Sequence, residues 1–145
     1  MPLTLDASVL ISAYSPAELE HANSRLLIDR LFAARTTLVQ PTLFAVEIAA
    51  AIARARDDPS LARDLVNALL QLPFIHWIAL DQTLGRRAME LAIDHKLRGA
   101  DAIYAAVALS RGCQLITLDR EHLTRLTAVL TTLTPAQAIA RPDTP

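Results

Sequence analysis

Four acidic residues stand in places where an apolar or capping residue would be the simpler choice. Asp6 directly follows the apolar run Leu3-Thr4-Leu5, and Asp119 directly follows Gln114 to Leu118. Glu47 is the one polar residue between Leu43 and Ala53, and Asp101 is the one charge between Gly99 and Leu109. A lone buried carboxylate costs several kcal/mol (roughly) unless it is paired or neutralised. Each acid alone has an ordinary alternative. Asp6, Asp101 and Asp119 could cap the helices that follow them, and Glu47 could pair with Arg54, seven positions on along its face. Taken together, four carboxylates brought to one patch repel, and they stay ionised only with help. A hard divalent cation with oxygen ligands, Mg²⁺ or Mn²⁺, is the natural remedy. The chemistry this permits is activation of a metal-bound water as a nucleophile. Zinc suits the chain poorly: Cys113 is alone, and His21, His76, His95 and His122 are scattered, expected as core or surface residues.

The elements that must position these acids follow from local pattern. The 145 residues include 26 Ala and 25 Leu but only 3 Gly, which favours a helix-rich domain over a β-sandwich. Strands are expected at residues 3–5, 36–39, 74–80 and 114–118. Helices are expected at 7–13, 17–34, 42–56, 60–71, 81–95 and 99–110, with short ones after Asp119 and after Thr134-Pro135. The 17–34 helix has a capping-box signal in Ser15-Pro16-Ala17-Glu18. Helix 42–56 is apolar nearly all round and is expected to be buried. Strands alternating with helices imply a mostly parallel sheet in an α/β/α sandwich, one domain over 1–145 with a frayed tail from about 141. Ligands of such sheets sit beyond the carboxyl ends of the strands. Asp6 and Asp119 are at that edge directly, Asp101 is in a helix's first turn, and Glu47 is in a second turn.

At these residues the chain resembles the PIN-domain family, and within it the VapC-type toxins of toxin–antitoxin pairs. The matching segments are Leu5-Asp6-Ala7-Ser8-Val9-Leu10-Ile11, Pro41-Thr42-Leu43-Phe44-Ala45-Val46-Glu47-Ile48, Asp101-Ala102-Ile103-Tyr104-Ala105-Ala106-Val107-Ala108 and Leu115-Ile116-Thr117-Leu118-Asp119. The resemblance implies a metal-dependent endoribonuclease in which Asp6, Glu47, Asp101 and Asp119 form the acidic quartet holding Mg²⁺. It implies that Ser8 and Thr117 support the ion or its waters. One departure is Leu123, where an aromatic is often found. The resemblance also implies a homodimer and a cognate antitoxin lying over the acidic groove, with helices between residues 17 and 71 as its walls.

Charge and partners are consistent with this. Net charge is −1, so any grip on nucleic acid must be local. The 13 Arg against one Lys suit phosphate contacts, although codon bias accounts for the ratio equally. Lys96, Arg98 and Arg120 flank the acids and are the candidate RNA contacts. The longest nearly apolar stretch, 43–53, is too short for a bilayer, and Asp6 breaks any signal-like run, so a cytoplasmic protein is expected. A phosphorelay receiver is disfavoured because Lys96 precedes a helix. A phosphatase with two Asp at i and i+2 is disfavoured because position 8 is Ser. A PIN nuclease of RNA maturation or repair, and a non-catalytic interaction module, remain alternatives to a toxin.

Overall fold

The computed structural model describes residues 1–145. Five strands form one parallel sheet: β1 (Leu3–Leu5), β2 (Leu38–Pro41), β3 (Ile75–Ile78), β4 (Gln114–Ile116) and β5 (Thr132–Leu133). They lie in the order β3-β2-β1-β4-β5. The chain moves outward from β1 to β2 and β3, then returns to pair β4 on the other side of β1. That reversal opens a crevice beyond the carboxyl ends of β1 and β4, the place where parallel sheets bind ligands.

Eight helices cover the sheet: α1 (Ala7–Ala13), α2 (His21–Ala33), α3 (Thr42–Arg56), α4 (Pro59–Leu70), α5 (Gln82–His95), α6 (Gly99–Arg111), α7 (Arg120–Arg125) and α8 (Pro135–Ile139). α6 packs across β1, β2 and β4 and against α5, while α1 joins α2 and α3, and α3 joins α4. One apolar core fills the layers, with Leu5, Leu10, Leu27, Leu31, Leu38, Phe44, Ile48, Leu115 and Ile116 almost wholly enclosed. The expected α/β/α sandwich is therefore what the chain adopts. No helix is long and apolar enough to cross a membrane.

Several boundaries differ from the sequence pattern, each for a local reason. The helix expected from Ala17 begins at His21. The Ser15 hydroxyl donates back to Ile11 O at 2.7 Å and finishes α1 instead of capping α2, so the capping box does not form. Residues 15–20 are turns, and His21 Nδ1 meets Ser12 O at 2.8 Å. The second strand starts at Leu38 because Thr36 N is spent on Leu31 O, beyond a left-handed Arg35 with φ 51°. β5 was not foreseen; two residues pairing at a sheet edge carry almost no periodicity. Helix 42–56 forms with the expected bounds, but it is not the buried helix expected. Only Phe44 and Ile48 of α3 are fully buried, and Val46 is 63% exposed. The apolar surface left open there is not core. The expected caps at Asp58, Asp81 and Thr134 are present, the last as a full capping box with Gln137. Beyond α8 the chain ends in a turn in which Thr144 N donates to Arg141 O at 3.2 Å.

Candidate functional site

The β1–β4 ladder runs Leu3–Gln114, Thr4–Leu115 and Leu5–Ile116, and Asp6 N extends it to Ile116 O at 2.9 Å. Asp6 is thus fixed at the lip of the central crevice. On its other side, β1 and β2 separate after the Leu3–Leu38 pair. The fully buried Gln40 side chain fills that gap. Its amide nitrogen donates to Leu5 O at 3.0 Å and its oxygen accepts from Leu5 N at 3.1 Å. A side-chain amide here does the work of a strand neighbour, on the residue just before Asp6.

Asp6 Oδ2 accepts from the Ser8 hydroxyl, from Ser8 N at 3.3 Å and from the Thr117 hydroxyl at 3.3 Å. Ser8 Oγ in turn accepts from Leu118 N at 3.2 Å, and Thr117 Oγ1 accepts from Asp119 N at 2.9 Å. Both hydroxyls therefore clamp Asp6 to the segment leaving β4. Asp6 also caps α1, and Asp119 Oδ1 caps α7 by accepting from Glu121 N at 2.7 Å. The capping alternative is correct for these two acids and does not exclude a further role, since one oxygen caps and another remains.

The fold brings Asp6, Asp101 and Asp119 together. Ligand atoms of Asp6, Asp101 and His122 lie within 4.8 Å of one another, and so do those of Asp101, Asp119 and Glu121. Glu47 belongs to neither close group. Its carboxylate accepts from the Tyr104 hydroxyl, and no ion pair with Arg54 forms. Burial raises the Glu47 pKa, and Asp6 and Asp101 add to the rise, so its carboxyl feels the cluster from α3. Burial also raises Asp101, with Asp119 and Asp6 pushing the same way against the opposing pull of His122 and Arg98.

Arg98 differs from Lys96 and Arg120. All three side chains are exposed, but the Arg98 guanidinium reaches Asp101 at 3.3 Å, Asp119 at 3.1 Å and Glu121 at 3.8 Å. Lys96 sits in a left-handed conformation at the end of α5, its carbonyl accepting from Arg125.

Four contributors escaped the sequence pattern. Tyr104 lies three residues after Asp101, on the same helical face, but looked like core. His122 lies three residues after Asp119; it is fully buried, with Nδ1 3.1 Å from Thr117 Oγ1 and Nε2 3.0 Å from Asp101 O. A backbone carbonyl only accepts, so Nε2 carries a proton and has no lone pair for a metal. Through these two contacts His122 ties the start of α6 to the end of β4. Glu121 looked like a surface acid, and Gln40 carried no signal apart from being polar within an apolar strand.

Oxygen donors from Asp6, Asp101 and Asp119, the first two buried, fit a hard divalent ion. A family model, the PIN domain, matches residues 3–128. The chain belongs to the PIN-domain family. Solved PIN-fold relatives include FitAcB from Neisseria gonorrhoeae, 18% identical with a TM-score of 0.69, covering 94% of this chain and 99% of that one. VapC20 from Mycobacterium tuberculosis, described as a sarcin-ricin loop cleaving toxin, is 16% identical with a TM-score of 0.68, covering 89% and 96%. A toxin–antitoxin complex from Klebsiella pneumoniae is 19% identical with a TM-score of 0.66, covering 92% and 97%. No curated protein matches the chain in sequence. These structures share the fold of this chain.

Proposed function

We propose that this PIN domain is a Mg²⁺- or Mn²⁺-dependent endoribonuclease acting as the toxin of a toxin–antitoxin pair. The observation that carries this is that Asp101 has Asp6 within 4.8 Å in one close group and Asp119 within 4.8 Å in another, so that acids from three distant parts of the chain adjoin at the sheet's switch point. Asp6, Asp101 and Asp119 would hold the ion, with Glu47 contributing from the edge of the cluster. The bound ion would lower the pKa of a water and offset the charge that develops on phosphate. Ser8 and Thr117 fix the Asp6 carboxylate, Tyr104 fixes Glu47, and His122 holds the Asp101 backbone against β4. Lys96 and Arg120, both exposed, would meet RNA phosphates, which would make binding salt-sensitive.

Two partner surfaces accompany this proposal. A groove of about 290 Å³ between α1, α3 and α4, lined by Leu10, Ile11, Tyr14, Ile48, Ile52 and Leu65, suits an apolar segment of an antitoxin. The exposed apolar residues Met89 and Ile93, one turn apart on α5, suit a homodimer contact. The test is expression of wild type beside Asp6→Asn, with cellular RNA recovered and its ends mapped. Growth arrest with new 5′-phosphate ends for wild type alone supports the toxin. Cleavage without arrest would move the protein to RNA maturation or repair. Neither cleavage nor arrest would leave an interaction module.

A further inference from the structure

Arg98 occupies the N-cap position of α6, yet its side chain makes no cap. The guanidinium instead folds over the acids. Nε lies 3.3 Å from Asp101 Oδ2 and 3.8 Å from Glu121 Oε2, and Nη2 lies 3.1 Å from Asp119 Oδ2. One rigid fork thus joins carboxylates from two elements, a task for which a planar five-donor head is suited and an ammonium is not.

The atoms it covers matter. Asp119 Oδ1 is committed to Glu121 N, so Oδ2 is the oxygen left for any cation, and Arg98 is on it. Glu121 has a second guanidinium, Arg125, at 3.4 Å, whereas no other arginine or lysine pairs with Asp101 or Asp119. The Arg98 side chain is 72% exposed while those of Asp101 and Asp119 are 12% and 22% exposed. The acids are therefore held in place and the cation is free to leave, because exposed ion pairs are weak.

Resting on the metal-dependent reading above, we propose that Arg98 is the resident counter-cation of this site, exchanging with a divalent ion for Asp101 and Asp119. Two cations cannot share Oδ2 of both residues without strong repulsion, so loading the metal releases the guanidinium. The released head remains tethered at the mouth of the cluster, where a phosphodiester would meet it. Metal loading and the grip on RNA are then coupled through one side chain.

The test is Mn²⁺ titration by calorimetry at fixed ionic strength, on the wild-type protein, Arg98→Gln, Arg98→Lys and Arg120→Gln. Freed of its competitor, Arg98→Gln should bind Mn²⁺ about three- to five-fold more tightly, the upper part of the range a displaced surface pair allows. Arg98→Lys, which keeps the charge but loses the fork, should fall between it and wild type. Arg120→Gln removes a neighbouring charge that pairs with none of the acids and should stay within about two-fold of wild type. With Mn²⁺ saturating, Arg98→Gln should raise the KM for RNA. Unchanged or weaker Mn²⁺ binding in Arg98→Gln would overturn the exchange, as would equal tightening in Arg120→Gln, which would mean a general field effect. An unchanged KM would overturn the coupling to RNA. No Mn²⁺ binding by any of the four proteins would instead overturn the metal-site proposal itself.

Discussion

Replacing Asp101 by Asn removes one charge from the middle of the cluster with almost no change in shape. Asp101 shares each of its two close groups with another carboxylate, Asp6 in one and Asp119 in the other, at separations within 4.8 Å. At an effective dielectric of about 20, two like charges at that distance repel by about 3 kcal/mol. Against this, Arg98 is largely exposed and contributes on the order of 0–1 kcal/mol, and His122 Nε2 lies 3.8 Å away. The raised pKa of Asp101 has burial of its charge as the largest cause; the pushes of Asp119 and Asp6 offset part of the pull of His122 and Arg98, and burial decides the direction. The Asn variant should therefore be more stable than wild type in a chelator, by about 1–2 kcal/mol, which is roughly 3–8 °C in Tm for a chain of this size. Scanning fluorimetry in EDTA, then with Mg²⁺ or Mn²⁺, reads this directly. Wild type should gain with metal, by about 2.7 kcal/mol at a hundred-fold excess over Kd, and Asn should gain little. An Asn variant that melts below wild type in EDTA would mean that Asp101 is a structural carboxylate and that the argument from repulsion is wrong.

Other outcomes follow from the same contacts. Tyr104→Phe strips Glu47 of its donor and should cost about 1–3 kcal/mol in urea denaturation at neutral pH, with the loss shrinking in acid, where Glu47 is protonated. Gln40→Leu removes both bonds to the Leu5 backbone and should cost about 1–3 kcal/mol while weakening Mn²⁺ binding, because Asp6 loses its support; weaker stability with unchanged metal affinity would make Gln40 structural only. The metal-free protein should lose stability as pH rises. Asp101 and Glu47 have folded pKa values above their ordinary 3.8 and 4.5, so the folded state binds more protons between the ordinary and the raised values. Melting temperature in EDTA should fall as pH rises through that window, and added Mn²⁺ should reverse the slope.

Asp6 and Asp119 were legible in the sequence because a charge ending an apolar β-run has few uses other than the sheet's carboxyl edge. Asp101 and Glu47 were legible as lone charges in apolar helices. The order of the strands was not legible, since crossovers of similar length can run either way, and it is this order that puts β1 beside β4 and creates the crevice. Tyr104 and His122 were hidden because a residue bonded inward through its polar tip or ring has the same helical spacing as core. Arg98 looked like a free phosphate contact; that its fork closes on Asp101 and Asp119 depends on how α6 and α7 meet, which no local pattern records. The misplaced start of α2 has a similar cause: Ser15 could serve either the helix before it or the one after, and a bond of 2.7 Å to Ile11 O decides the matter.

The most direct measurement is an anomalous difference map from crystals of the protein soaked in Mn²⁺. The account predicts a peak bounded by carboxylate oxygens of Asp6, Asp101 and Asp119, with the Arg98 head displaced from Asp119, and no such peak in crystals of Asp6→Asn. Manganese bound only elsewhere, or none bound while Arg98 keeps its place on both acids, would contradict it.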